Sequence, residues 1–270
     1  MSGSLLKKGG AVAGGIITAI FTVVPEEFFR YGFIACSWSN SVVVFANRVF
    51  VCAAVLLLSC VGFYLYLQIR RKVIISDKTF TIKVEYSDLF KDKKGKRVIN
   101  FDECYTTNVG SRPGDVKPGS VCGQYLIKYP IDNMQSLIQT YGIQPSGVSL
   151  YNSIPKYESG TLIPRDNFLL MAFAKLDAKG LGRMNYEEYL ECLDKLWEQI
   201  DLYHGTDDVY LPILGSRIAR FDKDFTQQEL LDIMIASYRL SPKKMKKPNV
   251  LHIVCRKQEG FSLNDIIGID

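Results

Sequence analysis

Residues 211–221 read LPILGSRIARF, an apolar strand-like run followed by a glycine, a serine and a stretch carrying two arginines. Glycine lets a backbone approach an oligophosphate closely, and consecutive N–H groups in a turn form a nest for an anion. The same residues also fit an ordinary strand-to-helix turn. Other chemistries have few candidates. Histidine occurs only at 204 and 252, which leaves little for His-based acid–base or Cys–His nucleophilic catalysis. His252, inside the apolar run VLHIVC, reads as a structural histidine. The cysteines, Cys36, Cys52, Cys60, Cys104, Cys122, Cys192 and Cys255, form no C-x-x-C pair and no zinc spacing. No metal site is expected, and free thiols suit a reducing compartment. Asp102 and Glu103 are adjacent carboxylates. Neighbours on an extended segment point to opposite sides, which argues against an acid–base pair. No residue is assigned a catalytic role.

The elements that would position the loop come from periodicity. FTIKVEY (80–86) and RVINF (97–101) read as strands about a KDKKGK turn. Asn185 with Glu188 makes a capping pair ahead of a helical stripe from Tyr186 to Ile200. DVYLPIL (208–214) and NVLHIVC (249–255) read as buried strands, and Thr226-x-x-Glu229 opens a capped helix to about Leu240. Alternating strands and helices predict an α/β fold, a mixed or largely parallel sheet with helices on both faces. Ligands in such sheets collect beyond the strand carboxyl ends, where LPILGSRIARF falls. KKMKK (243–247) reads as a solvated loop or a lipid-facing patch.

The net charge of +5 lies entirely in residues 1–72, which hold seven Lys/Arg against two Glu, and the remainder balances. A neutral domain without a basic stripe is a poor nucleic-acid binder. Val49–Leu67 carries no charge over 19 residues and is followed by Arg70-Arg71-Lys72. As a helix it spans ~28 Å, near the hydrocarbon thickness, and the cations fix that end at the cytoplasmic side. A shorter uncharged run covers 9–24, with Gly10 and Gly14 at the spacing that lets helices pack closely. Two transmembrane helices are therefore expected, about 9–24 and 49–67. The aromatic segment between them (Phe28, Phe29, Tyr31, Phe33, Trp38) would sit at headgroup level. The chain divides into a membrane module, 1–72, and a cytoplasmic domain, 73–270.

Strand-Ser87-Asp88-Leu89-Phe90 resembles the Gly-Asp-Ile/Leu motif after a first core strand in macro domains, the ADP-ribose-binding fold. FDECYTTNVGSRPGDVKPGSVCGQYL (101–126), LPILGSRIARF and the closing LDIMIASYRLSPKKMKKPNVLHIVCRKQEGFSLNDI resemble one divergent branch of that fold. With two apolar segments in front, the chain resembles the transmembrane macro-domain effectors of Thoeris anti-phage systems. The resemblance implies that Asp88, beside Leu89, reads adenine, and that Ser120, Val121, Cys122 and Gly123 approach the distal ribose and phosphate. Gly215, Ser216, Arg217, Ile218, Ala219, Arg220 and Phe221 would enclose the diphosphate. Arg217 stands where many macro domains have a second glycine, and would face solvent or contact phosphate. Asn100-Phe101-Asp102-Glu103 replaces the Asn-Ala-Ala-Asn element of hydrolytic relatives, which counts against hydrolysis. The same resemblance implies a non-enzymatic sensor without cofactor. It would bind an ADP-ribose conjugate, a histidine conjugate in this branch, made by a partner TIR-domain enzyme. As a homo-oligomer in the bacterial inner membrane, multi-pass with its macro domain cytoplasmic, it would then compromise the lipid bilayer. A membrane-tethered ADP-ribosyl hydrolase and a structural anchor docking a protein partner are the alternatives.

Overall fold

The computed structural model describes residues 2–31, 39–91, 94–216, 220–221 and 224–266, with side chains from residue 10 onward except at Tyr31 and Arg220. The chain divides into two compact units, Met1–Arg70 and Arg71–Asp270. Lys72, expected to close the membrane module, instead begins a strand of the second unit.

The first unit holds α1 (Ser2–Val23), a 3-10 turn (Glu26–Tyr31) and α2 (Asn40–Ile69). Only α2 is long and apolar enough to cross a bilayer among the described residues, with a mean hydropathy of 2.4 over its best stretch. The apolar part of α1, Gly10–Val23, is helical as expected but 14 residues long, and ~21 Å falls short of a hydrocarbon core. Two expected spans thus become one candidate span and a shorter helix. The span also starts earlier than Val49, because Asn47 and Arg48 are accommodated within the helix. The Asn47 amide donates to the Phe29 carbonyl at 2.9 Å. Arg48 pairs with Glu26 at 3.3 Å and lies over the rings of Phe21 and Phe29. Cβ atoms at Gly10 or Gly14 would meet nothing within 4 Å, so the small-residue face of α1 is open. Phe33 and Trp38 lie outside the described residues.

The strands of the second unit are β1 (Lys72–Ser76), β2 (Thr81–Tyr86), β3 (Lys96–Asp102), β4 (Gly147–Val148), β5 (Pro155–Lys156), β6 (Leu162–Arg165), β7 (Phe168–Leu176), β8 (Gly182–Met184), β9 (Val209–Pro212), β10 (Arg220–Phe221) and β11 (Leu251–Cys255). Nine of them form one mixed sheet in the order β1-β2-β11-β9-β3-β7-β8-β10, with β6 also on β7, while β4 and β5 make a separate hairpin. Five neighbours, β2, β11, β9, β3 and β7, run parallel, which brings their carboxyl ends to one edge. Helices cover both faces. α5 (Tyr186–Tyr203) and α6 (Gln227–Leu240) close a core around Trp197, whose indole N–H donates to Ser237 Oγ at 2.8 Å. α3 (Val121–Lys128) and α4 (Met134–Thr140) close the other around Tyr125 and Phe168, rings 4.8 Å apart.

Both expected capping boxes form. Asn185 accepts from the Glu188 amide and Glu188 accepts from the Asn185 amide, each at 2.8 Å; Thr226 and Glu229 exchange the equivalent bonds. Thr226→Ala is expected to cost about 1 kcal/mol, read as a lower urea midpoint followed by Trp197 fluorescence. In the 243–247 segment Met245 is buried in the core and the Lys244 ammonium donates to the Arg239 carbonyl at 2.6 Å, so protein contacts hold this loop.

Candidate functional site

The parallel strand ends open onto a cavity of about 540 Å³. Each contributes the residues that follow it. Beyond β2, Ser87 N donates to Cys255 O at 3.1 Å, joining the β2 and β11 ends. Asp88 Oδ1 then accepts from Phe90 N at 2.9 Å. Asp88 therefore caps its turn and lines the cavity at once, with buried Leu89 beside it.

After β3 the chain forms a braced loop. Gly110 N donates to Val116 O and Val116 N to Asn108 O. Asp115 accepts from Asn108 Nδ2 at 2.7 Å and from Arg112 N at 2.9 Å. The Lys117 ammonium donates to the carbonyls of Ser111 and Arg112, and Tyr151 O–H donates to Pro113 O at 2.9 Å. The loop ends at Ser120, the N-cap of α3, whose Oγ donates to Lys117 O and accepts from Gly123 N. Ser120, Val121 and Cys122 line the cavity. Gly123 does not: a Cβ there would lie 2.1 Å from Lys117 O. Its lack of a side chain lets the Lys117 turn rest on α3, one step behind the cavity wall.

Beyond β9, Gly215 and Ser216 line the cavity. Gly215 has φ +82°, and a Cβ would meet the Phe221 ring at 2.7 Å. Phe221 itself packs edge-on against Tyr189 and Phe225, at 5.4 and 5.3 Å, behind the loop and away from the cavity lining. Arg217, Ile218 and Ala219 lie outside the described residues; Arg220 pairs with Arg183 in the β10–β8 ladder. The cavity thus gathers Asp88, Leu89, Ser120, Val121, Cys122, Gly215 and Ser216, while Gly123 and Phe221 support it from behind.

The cavity also contains residues that periodicity did not single out for binding: Asn100 and Asp102 from the end of β3, Arg256 and Gln258 after β11, and Gln227 at the start of α6. The Gln258 amide donates to Gln227 Oε1, tying the β11 exit to α6. The signal for all of them was position at a strand end or a helix start. Asn100 is 9 % exposed and its Oδ1 has no hydrogen-bond partner. Asp102 Oδ1 accepts from Cys104 N and Thr106 N at 2.9 and 3.1 Å. Burial raises its carboxyl above the usual range. Glu103 is engaged elsewhere, accepting from Ser149 Oγ at 2.6 Å and Leu176 N at 3.1 Å. The two carboxylates share no partner, as their alternation on an extended segment requires. Burial pushes the Cys122 thiol upward and the Cys255 thiol to about 12, so both line the cavity as neutral groups. His252 lies outside it, stacked on Tyr210 between Glu85 (3.2 Å) and Asp208 (3.4 Å), and burial lowers its pKa.

Residues 82–256, from β2 through the first residue after β11, match the family model of the Thoeris protein ThsA macro domain. The chain belongs to that family. Its match takes in nearly every element that lines the cavity. Thoeris protein ThsA from Bacillus amyloliquefaciens (strain Y2) is 25% identical over 236 residues, covering 79% of this chain and 77% of the relative. The mixed sheet with helices on both faces is the macro fold, and the cavity beyond its parallel strand ends has the size of a small-molecule site.

Proposed function

We propose that the macro domain is the receptor for an ADP-ribose-derived signal and that the chain is a membrane effector of Thoeris anti-phage defence. One observation carries the proposal: Asp88, the glycine turn at Gly215-Ser216 and the Ser120 helix cap, far apart in sequence, line a single cavity. In this assignment Asp88 with Leu89 takes the adenine, the Gly215 turn takes the diphosphate, and the Ser120–Cys122 wall takes the distal ribose. The expected ligand is a histidine conjugate of ADP-ribose supplied by a TIR-domain enzyme. A sensing role without turnover is supported by the neutral thiols and by the separate engagements of Asp102 and Glu103.

α2 crosses the inner membrane in this scheme, with Arg70–Lys72 on the cytoplasmic side. Only two residues separate its end from β1, and β1 pairs antiparallel with β2, the strand that leads into Asp88. Ligand that favours one arrangement of the β2 exit therefore has a short covalent route to the helix. The open Gly10/Gly14 face offers a contact between copies in an oligomer. Titration calorimetry of the full chain in detergent with ADP-ribose and its histidine conjugate tests the receptor assignment. Asp88→Ala is expected to weaken binding by tenfold to a hundredfold, about 1.4–3 kcal/mol. Wild-type affinity in that variant, or no binding of either nucleotide to the parent chain, would sink the proposal.

A further inference from the structure

We propose that the lysine-rich loop before β11, together with the β1–β2 turn, is a docking surface for anionic lipid headgroups of the bilayer that anchors the chain. The inference rests on the membrane reading above. Between Pro242 and Pro248 stand four lysines and no carboxylate. The domain as a whole balances its charges, so the rest of it is acidic and the positive end is local. Met245 is buried and fixes the loop, its N–H donating to the Tyr238 hydroxyl at 3.1 Å. Lys244 is committed internally, with its ammonium on the Arg239 carbonyl and 5.0 Å over the Phe80 ring. Lys243, Lys246 and Lys247 remain exposed. Lys247 N donates to Thr79 O at 3.0 Å, which brings the turn carrying exposed Lys78 against the loop. Two carboxylates touch this end: Glu198 pairs with Lys243 at 3.8 Å, and Asp77 accepts from the Lys78 amide at 2.6 Å. Among the described residues the ammoniums of Lys78, Lys246 and Lys247 pair with no carboxylate.

Both segments lead into the amino ends of the parallel strands β2 and β11, the edge opposite the cavity, and none of their residues lines it. The patch is therefore separate from the nucleotide site. Its chemistry selects the partner. Ammoniums on flexible stems, spread over a surface, suit a fluid array of phosphodiesters; a single fixed anion needs convergent donors. The backbone beneath them is already held, with Lys246 O accepting from Asn249 N at 3.1 Å and Lys247 N bonded to Thr79, so docking need not first order the loop. The chain supplies proximity as well. Lys78 follows Ile69, the last residue of α2, by nine residues, a reach of at most ~30 Å. Once α2 is in a bilayer the contact is intramolecular, and weak attractions count. A lysine at an anionic leaflet favours contact by about fivefold, an effect that fades within a Debye length. Several acting together hold the domain where one does not.

The test acetylates the full chain in two kinds of vesicle, phosphatidylcholine alone and phosphatidylcholine with about one-third phosphatidylglycerol. The reagent is an uncharged N-hydroxysuccinimide ester, and mass spectrometry reads each lysine. Lys179, exposed on the β7–β8 turn, is the internal reference. Relative to it, Lys78, Lys246 and Lys247 are expected to react about fivefold more slowly in the anionic vesicles, and salt at about 0.5 M should remove the difference. Lys246→Gln combined with Lys247→Gln should return Lys78 to within about twofold of its rate in phosphatidylcholine, with the parent's thermal unfolding midpoint as the check on folding. Equal relative rates in the two vesicles, protection that survives the salt, or unchanged protection of Lys78 in the double variant overturns the docking surface. Protection in both vesicles that nuclease lifts would assign the patch to nucleic acid and overturns it too. A chain that alkaline carbonate strips from both vesicles overturns the membrane reading instead.

Discussion

Gly123→Ala is expected to abolish detectable ADP-ribose binding and to lower the unfolding free energy by about 2–3 kcal/mol. The added Cβ would lie 2.1 Å from Lys117 O and 2.9 Å from Pro118 Cα, both backbone atoms. A flexible side chain could swing away; this turn cannot, because Ser120 Oγ bonds both Lys117 O and Gly123 N and so locks the turn to the helix. Either α3 tilts or the turn lifts. In both cases Lys117, Gly119 and Ser120, which line the cavity, are displaced together. Gly119→Ala is the matched control. It sits in the same turn and lines the same cavity, but its Cβ meets nothing within 4 Å, so a stability change within about 0.5 kcal/mol is expected. Thermal unfolding with and without ADP-ribose reads both variants. A Gly123→Ala chain that still gains wild-type stabilisation from the nucleotide would show that the Lys117 turn does not have to sit where it does.

Gly123 also marks where sequence reasoning reached its limit. Its place in the loop was legible, and the resemblance set it against the distal ribose and phosphate of a ligand. Which backbone approached was not legible, and the neighbour is Lys117 rather than a ligand. The capped helices were readable because a capping box is local: Asn185 with Glu188 and Thr226 with Glu229 each act within one turn. β2, β3, β9 and β11 were readable from their apolar runs. β7 was not singled out: FLLMAFAKL is a nine-residue apolar run without alternation, and at that length periodicity does not separate a buried strand from a helix segment. β1 escaped because its five residues begin within the basic cluster that reads as the end of the membrane module. The cavity wall required register. Arg256 and Gln258 reach it only because β11 lies beside β2, with Cys255 opposite Tyr86, and no local pattern encodes a pairing across so long a separation. Of the two expected spans, length supports only the second. The first segment's helix ends at Val23, and its apolar part, Gly10–Val23, is shorter than a bilayer core requires.

Gly215→Ala should cost about 2 kcal/mol of stability and at least tenfold in ADP-ribose affinity. Two separate effects combine there. At φ +82° an L-residue enters left-handed backbone, and its Cβ comes within 2.7–2.8 Å of the Phe221 ring. They can be told apart because only the second depends on Phe221. Phe221→Leu removes the ring edge and with it the contacts to Tyr189 and Phe225, so it is destabilising alone. Combined with Gly215→Ala it should be less than additive by about 1 kcal/mol, the portion due to collision. The residual cost is backbone strain, which no repacking relieves. The nucleotide readout separates support from contact. Phe221 lies behind the turn, so Phe221→Leu should leave ADP-ribose affinity within about threefold of wild type, whereas a change at Gly215 alters the cavity wall itself. A strictly additive double variant would mean that the turn moves away from Phe221 without resistance. A large loss of affinity in Phe221→Leu would place the ring in contact with the ligand, as the resemblance to ADP-ribose receptors first suggested.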